Sequence, residues 1–184
     1  MTYDDQDYLR RLPHLDRVLI GSAELGLRVR ELGNEISRDY RSSLPVLVCI
    51  LKGAYMFLSD LTRCVAADHE IDFMAVSSYE GGTQSTGVVK IEKDLRTNIT
   101  DRDVIIVEDI VDSGLTLSHL VELLHTRTPR SIRVCTLLDK AAARQKDVRV
   151  DYRGFEIPKE FVVGYGLDYE EKYRNLPFIG VLRP

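Results

Sequence analysis

The feature that most restricts the fold is a series of short apolar runs that alternate with segments of helical periodicity. "PVLVCILKG" and "DVIIVED" have the uninterrupted apolar character of strands that are buried on both faces of a sheet. "SAELGLRVRELGNEIS" and "LTLSHLVELLHTR" instead repeat their apolar residues every three or four positions, as amphipathic helices do. This alternation predicts an α/β fold with a mainly parallel, twisted sheet flanked by helices.

The rest of the chain extends this pattern without a break in composition. "EIDFMAVSSY" and "SIRVCTLLDK" are further predicted strands, and "FVVGYG" is another near the C-terminus. Ser22 is the expected N-cap of the first amphipathic helix. Because no linker or repeat interrupts the sequence, we expect one domain over residues 1–184, with about 17 N-terminal residues peripheral to it.

Charge and composition exclude several classes of protein. The net charge is -4, so no global basic field indicates nucleic-acid binding. No apolar segment approaches the ~20 residues that a membrane span needs, so no membrane association is expected. Three cysteines, Cys49, Cys64 and Cys135, share no metal-ligand spacing. Reduced thiols are typical of the cytoplasm, and we expect the protein there.

Charged side chains follow directly after several of the predicted apolar strands. Lys52-Gly53, Glu108-Asp109 and Asp139-Lys140 each stand at the end of an apolar run. Ligands of open α/β sheets bind beyond the carboxyl ends of the strands. The coincidence therefore predicts one composite site at that edge of the sheet.

The stretch "DSGLT" has the character of an anion-binding loop. Gly114 precedes a predicted helix, so backbone N–H groups and the helix N-terminus can converge on one anion. The same sequence is also compatible with an ordinary capped turn. Since neither G-x-x-x-x-G-K-[ST] nor G-x-G-x-x-G occurs, the loop indicates a single phosphate group rather than a P-loop or dinucleotide site.

Glu108 and Asp109 allow two interpretations. Side chains that are adjacent in a regular strand face opposite sides of the sheet, which argues against both holding one metal ion. At a strand end the chain turns, and both carboxylates could then accept hydrogen bonds from the hydroxyls of a ligand. A solvated acidic turn is the alternative.

"VIIVEDIVDSGLTL", Val104 to Leu117, resembles the signature of the type I phosphoribosyltransferases, which bind phosphoribosyl pyrophosphate. The resemblance extends from about Val18 onward and is specific to the 6-oxopurine branch, the hypoxanthine-guanine phosphoribosyltransferases. Four further stretches carry it: "LKGAYMFLSDL" from Leu51, "SSYEGGTQSTGVVKI" from Ser77, "LLDK" from Leu137 and "GFEIPKEFVVGYGLDYEEKYRNLP" from Gly154. It implies the type I fold, with a small hood built from segments near the chain ends and a mobile active-site loop.

The resemblance also implies a function. The expected reaction is purine salvage: transfer of the phosphoribosyl group to hypoxanthine or guanine, giving IMP or GMP and pyrophosphate. In the family, the loop that corresponds to residues 112–116 holds the 5′-phosphate. In this sequence the loop comprises Asp112, Ser113, Gly114, Leu115 and Thr116. Glu108 and Asp109 would hold the ribose hydroxyls. Asp112 would act at N7 of the purine as general base or acid.

Other residues are assigned to the base by the same resemblance. Lys140 would donate to O6 of the base. This contact would exclude adenine, because its 6-amino group has no acceptor to offer the lysine cation. Phe161 would stack on the purine ring. Backbone carbonyls of Val162 and Asp168 would accept from a 2-amino group, which admits guanine without excluding hypoxanthine.

Pyrophosphate and metal are assigned in the same way. Lys52, Gly53 and Arg174 would bind pyrophosphate, with a non-proline cis peptide between Leu51 and Lys52. Asp168, with Glu108 and Asp109 as further candidates, would hold Mg²⁺, which commonly takes one or two carboxylates plus phosphates and water. Ser78 and Tyr79 would mark the mobile loop, whose closure excludes water from the reaction.

Two other functions are compatible with the sequence, and the resemblance also implies an oligomer. A phosphoribosyltransferase-like regulator that binds nucleotides and RNA would keep the loop, but such proteins lose catalytic side chains or gain a basic face. An enzyme of the same fold could act on xanthine or another base. The resemblance implies a homodimer or homotetramer, with the segment from Gly53 to Leu61 as a candidate subunit contact.

Overall fold

The computed structural model describes residues 4–78 and 89–183, which form two sheets and four α-helices. The strands are β1 (Leu15–Ile20), β2 (Val46–Leu51), β3 (Glu70–Ser78), β4 (Val89–Lys93), β5 (Asp103–Val111), β6 (Ser131–Asp139), β7 (Tyr152–Glu156), β8 (Val162–Val163) and β9 (Ile179–Leu182). The α-helices are α1 (Asp5–Arg11), α2 (Ser22–Asp39), α3 (Tyr55–Thr62) and α4 (Leu115–His125), and Ala141–Ala143 form one 3₁₀ turn.

The larger sheet has six strands in the order β4-β3-β2-β5-β6-β7. All neighbours pair in parallel except β4, which is antiparallel to β3 at one edge. This confirms the predicted α/β fold with a mainly parallel sheet. In such a sheet the carboxyl ends of the parallel strands lie at one edge, where the chain places Lys52, Asp112 and Lys140.

The two central strands explain why their sequences are apolar throughout. On one face, Leu47 of β2 and Ile105 of β5 pack in a core with the apolar stripe of α2 and with α3. On the other face, Val48 and Ile106 pack with α4. The strands are therefore covered on both sides, as their uninterrupted apolar runs predict. The buried stripe of α2 comprises the predicted residues Leu25, Val29, Leu32 and Ile36.

A second, three-stranded antiparallel sheet, β1-β9-β8, forms what we call the hood. It joins a strand near the N-terminus to two strands near the C-terminus. Phe178 and Leu15 are buried beneath it, and Tyr8 of α1 contacts the Phe178 ring edge-on at 6.0 Å. Within the N-terminal segment that the sequence marks as peripheral, α1 buries no residue, whereas Leu15 at the start of β1 is 1% exposed.

Two local predictions were wrong. The N-cap of α2 is Gly21, and Ser22 is the first helical residue, whose N–H donates to the Asp5 carboxylate at 2.8 Å. A carboxylate from α1, and not the Ser22 hydroxyl, therefore accepts a hydrogen bond from a free N–H group at the start of α2. In "FVVGYG" only Val162 and Val163 are extended, because Gly164 has a φ of 102° and turns the chain.

A membrane crossing would require a longer and more apolar helix than any found in residues 4–78 and 89–183.

Asp72 at the start of β3 ties the sheet to the segment after β4. Its carboxylate accepts from the backbone N–H groups of Arg96 (2.7 Å) and Thr97 (2.8 Å) and lies 3.5 Å from the Lys93 ammonium. Burial opposes ionisation of this side chain, but the N–H donors of Thr97, Phe73 and Arg96 outweigh it and lower the pKa to about 2. The ionised form is therefore favoured in the folded state.

We expect Asp72→Asn to destabilise the protein by about 2 kcal/mol at pH 7 and by about half as much at pH 3. A lowered carboxyl pKa contributes stability above its unfolded value near 4, and the contribution is lost as the pH falls towards 2. Urea unfolding of both proteins at the two pH values measures this difference. The exposed Asp68→Asn is the matched control. An equal cost for Asp72→Asn at both pH values would contradict the assignment.

Candidate active site

The loop between β5 and α4 has the geometry of an anion site. Gly114 is the N-cap of α4 with a φ of 79°, a left-handed conformation that favours glycine. A Cβ there would lie 2.7 Å from the carbonyl oxygen of Lys146, so no larger side chain fits. The hydroxyl of Ser113 lies 3.4 Å from the N–H of Leu115. Backbone donors at the start of a helix thus gather where the sequence predicts the 5′-phosphate.

A segment distant in sequence supports this loop from behind. The N–H groups of Gln145 and Lys146 donate to the carbonyl of Ser113 at 2.9 and 3.1 Å. Arg144 packs its Cδ atom 3.6 Å from the position a Gly114 Cβ would take. Sequence reasoning missed these residues, because nothing local to "AAARQKDV" indicates a contact with the loop.

Lys140 and Asp112 face each other at the ends of neighbouring strands. The Lys140 ammonium donates to Asp112 Oδ2 at 3.0 Å. The lysine side chain is 10% exposed, whereas that of Asp112 is 55% exposed. Lys140 is therefore not the freely solvated surface lysine that its residue type would suggest. The backbone N–H of Lys140 also donates to Val111, so the two strand ends are fixed together.

Asp139, directly before Lys140, is clamped by two arginines. Arg144 Nη2 donates to one carboxylate oxygen at 2.6 Å, and Arg153 Nε lies 2.9 Å from the other. The Asp139 side chain is 1% exposed. Arg144 continues to the carbonyl of Val148 at 2.9 Å, so one guanidinium links the end of β6 to the segment behind the phosphate loop.

Glu108 and Asp109 lie inside β5 rather than at its end, since the strand continues to Val111. The expectation of a turn at these residues was therefore wrong, and the alternation of a strand favours opposite faces for the two carboxylates. Burial raises the pKa of Glu108 well above its usual value, and the neighbouring Asp109 adds to the effect. Burial likewise raises the pKa of Asp109 to about 6. Burial thus opposes ionisation of both acids, and a bound cation would favour their carboxylate forms.

Asp109 is packed against the loop after β2. A Cβ on Gly53 would lie 1.6 Å from Asp109 Oδ2, so only glycine fits beside this carboxylate. A Cβ on Gly166 would in turn lie 2.0 Å from the carbonyl oxygen of Gly53. The peptide bond between Leu51 and Lys52 is cis, as the resemblance implies. Gly53, Asp109 and Gly166 thus bring β2, β5 and the hood together.

The cations predicted for pyrophosphate lie beside this junction. Arg174 Nη1 donates to the carbonyl of Gly166 at 2.8 Å, and Nη2 lies 2.8 Å from Asp168 Oδ1. Lys52 Nζ donates to both oxygens of Glu171 at 3.2 Å. Glu171, which sequence reasoning did not select, also lies 3.3 Å from Arg174.

The predicted base-binding residues Phe161 and Val162 lie in or directly before β8, in the hood. Phe161 is 55% exposed and contacts Tyr169 edge-to-face at 5.6 Å, while Val162 in β8 is buried. A base between Phe161 and Lys140 would bridge the hood and the large sheet. A cavity of about 820 Å³ opens beside Phe161, and neither Lys140 nor Asp112 lines it. Tyr79 lies outside the described residues, and Ser78 ends β3.

The donor set is compatible with Mg²⁺ that is shared with a substrate. Among the described residues, no three histidine, cysteine or acidic side chains converge as a metal cage. Mg²⁺ commonly needs only one or two carboxylates when phosphates and water complete its shell. Asp168 raises the pKa of Asp109, which places the two carboxylates within electrostatic reach of each other. Asp168 and Asp109 therefore fit the predicted ion.

Comparison with known proteins agrees with this geometry. The chain matches the phosphoribosyl transferase domain family over residues 21–170. The hypoxanthine-guanine phosphoribosyltransferase of Bacillus subtilis (strain 168) is 52% identical over 170 residues, covering 92% of this chain and 94% of that protein. The one from Mycobacterium avium is 52% identical over 173 residues, covering 91% and 85%.

A solved structure gives the same result. The crystal structure of a hypoxanthine phosphoribosyltransferase from Staphylococcus aureus superposes with a TM-score of 0.92 at 48% identity, covering 95% of each chain. The chain therefore belongs to the phosphoribosyltransferase family, in its hypoxanthine-guanine branch.

Proposed function

We infer that the protein is a purine-salvage enzyme that transfers the 5-phosphoribosyl group from phosphoribosyl pyrophosphate to N9 of hypoxanthine or guanine. The products are IMP or GMP and pyrophosphate. The observation that carries this inference is the Lys140–Asp112 pair directly beside the anion loop at the start of α4. Asp112 belongs to the anion loop and is bonded to Lys140, and this pair would offer an acceptor and a donor to the N7 and O6 atoms of a 6-oxopurine.

The phosphoribosyl group would be held from both ends. The loop Asp112 to Thr116 would bind the 5′-phosphate through its backbone N–H groups and the partial positive charge of α4. Glu108 and Asp109 would accept hydrogen bonds from the ribose hydroxyls. As positive charge develops on C1 of the ribose, ionised carboxylates at this position would stabilise it.

The base would be recognised along its O6–N7 edge. Lys140 would donate to O6, and its buried position makes a 6-amino group costly there. As the bond from N9 to C1 forms and the bond from C1 to pyrophosphate breaks, the purine loses a proton. Asp112 would accept that proton at N7 as general base. Phe161 would stack on the ring, and the backbone carbonyls of Val162 and Asp168 would accept from the 2-amino group of guanine.

The leaving group would be held by positive charge. Lys52 and Arg174 would bind pyrophosphate together with the backbone of Gly53. Mg²⁺, held by Asp168 with Asp109 and Glu108 nearby, would neutralise negative charge on the pyrophosphate. Burial opposes ionisation of these two acids, and a bound cation would restore their carboxylate forms.

The proposal extends to assembly and location. We place the protein in the cytoplasm, which its three free cysteines fit. We also propose a homodimer or homotetramer with a contact that includes α3, where Tyr55 is 39% exposed.

A steady-state panel of hypoxanthine, guanine, xanthine and adenine with phosphoribosyl pyrophosphate tests the function. We expect turnover with hypoxanthine and guanine, and a kcat/KM for adenine at least about a hundredfold lower, because Lys140 donates to O6 but offers a 6-amino group no acceptor. Absence of turnover with both 6-oxopurines would overturn the proposal. Activity that persists in the presence of a chelator would exclude the proposed role of Mg²⁺, but would not contradict the proposed recognition of the base.

A further inference from the structure

The Glu171 carboxylate binds both of the cationic side chains, Lys52 and Arg174, that the proposed function assigns to pyrophosphate. Its two carboxylate oxygens each lie 3.2 Å from Lys52 Nζ. Oε2 also lies 3.3 Å from Arg174 Nη2. One carboxylate thus bridges a lysine that follows β2 and an arginine that precedes β9, which are 122 positions apart in the sequence.

The backbone is shaped to present Glu171 in this position. Its N–H donates to Asp168 Oδ2 at 2.9 Å, and Tyr169 and Lys172 exchange two backbone hydrogen bonds at 3.2 and 3.0 Å. Glu170, Glu171 and Tyr173 have φ values of 52°, 62° and 73°. Non-glycine residues rarely adopt this left-handed conformation, and such residues cluster in turns with a function.

The ion pair between Glu171 and Lys52 can open readily, because both side chains are exposed to solvent. The side chains of Lys52 and Glu171 are 68% and 65% exposed, so their ion pair is weak and either group can turn into solvent. Arg174 is 18% exposed and stays anchored to Gly166 and Asp168. A carboxylate and a diphosphate present oxygens of the same kind to these cations. Both cannot occupy the same donors of Lys52 and Arg174 at once.

We propose that Glu171 is an internal competitor of pyrophosphate. It neutralises Lys52 and Arg174 in the free protein, gives way when phosphoribosyl pyrophosphate binds, and returns to the cations as pyrophosphate leaves. This inference rests on the proposed function of Lys52 and Arg174. It assigns to the turn a role in product release rather than in the bond-making step.

Titration calorimetry with pyrophosphate in the presence of MgCl₂ tests the proposal. Glu171→Gln keeps the size of the side chain and removes its charge, so we expect its Kd for pyrophosphate to be about three- to fivefold lower than that of the wild type. Product inhibition by pyrophosphate should become tighter by the same factor. Glu170→Gln is the matched control, because it makes the same charge change one residue away, where the carboxylate faces Lys172 at 3.6 Å. We expect no change for the control.

The outcomes separate this proposal from the proposed function. If the wild type binds pyrophosphate and Glu171→Gln binds it equally or more weakly, the competitor role is overturned while the pyrophosphate site stands. If Glu170→Gln tightens binding as much as Glu171→Gln, the effect is one of net charge and the competitor role again fails. If the wild type does not bind pyrophosphate, Lys52 and Arg174 are misassigned and both proposals fall. Thermal unfolding of each variant establishes that the fold is intact.

Discussion

Replacement of Asp112 by asparagine is expected to lower kcat for hypoxanthine and guanine by about 10²–10⁴-fold, the range typical of a lost general base. Asparagine preserves the shape of the side chain, and its carbonyl oxygen can still accept from Lys140 Nζ, which donates to Asp112 Oδ2 at 3.0 Å in the native protein. It cannot take a proton from N7. The loss should therefore fall on the chemical step rather than on binding.

The measurement compares the rate of the chemical step, obtained by single-turnover kinetics, with the Kd for GMP from calorimetry. We expect the Kd for GMP to change much less than the rate, because the backbone donors of the phosphate loop are unaltered. Asp68→Asn makes the same chemical change at an exposed position and should leave both values unaltered. A rate for Asp112→Asn close to that of the wild type would exclude Asp112 as the base.

The parts of the fold that the sequence could predict are those encoded locally. The apolar runs of β2 and β5 predict strands covered on both faces, and the buried residues of the two cores confirm this. Gly114 before a helical pattern predicts a short loop at a helix start, and Gly114 is the N-cap of α4. Each of these features depends on residues within about ten positions of each other, where periodicity and turn chemistry are informative.

The features that could not be predicted depend on distant residues. The carbonyl of Ser113 is held by backbone groups of Gln145 and Lys146, and backbone donors leave no trace in residue type. Ser22 was expected to cap α2 with its own hydroxyl, yet Asp5 from another helix supplies the acceptor. Glu171 looks like a surface acid in sequence, because its partner Lys52 comes from the other half of the chain. Only the folded chain brings such groups together.

The hood illustrates the same limit at a larger scale. Its strand β8 has two residues and pairs with β9, while β1 pairs with the opposite edge of β9. β1, "LDRVLI", does not alternate apolar and polar residues, and β8 is too short to show any alternation. The pairing of the two chain ends was accessible only through the family resemblance.

Asp139 is the residue whose loss should cost the most stability. Asp139→Ala removes a carboxylate that is 1% exposed and is bound by Arg144 at 2.6 Å and Arg153 at 2.9 Å. Arg153 is 47% exposed and can turn into solvent, but Arg144 is only 16% exposed and would keep a buried charge without its partner. We expect the free energy of unfolding to fall by about 3–5 kcal/mol, the typical cost of breaking a buried ion pair. For a chain of this size, that lowers Tm by roughly 6–20 °C.

Urea unfolding and thermal unfolding measure this loss, and Asp94→Ala supplies the comparison. Asp94 also pairs with an arginine, Arg127 at 2.8 Å, but its side chain is 49% exposed, so removing it should cost at most about 1 kcal/mol. Because Arg144 also holds the segment behind Ser113 and Gly114, we expect Asp139→Ala to raise KM for phosphoribosyl pyrophosphate at temperatures where the variant is folded. Equal losses in the two variants would show that burial does not set the strength of the Asp139 clamp. A destabilised Asp139→Ala with an unaltered KM would instead confine Asp139 to stability and separate it from the phosphate loop.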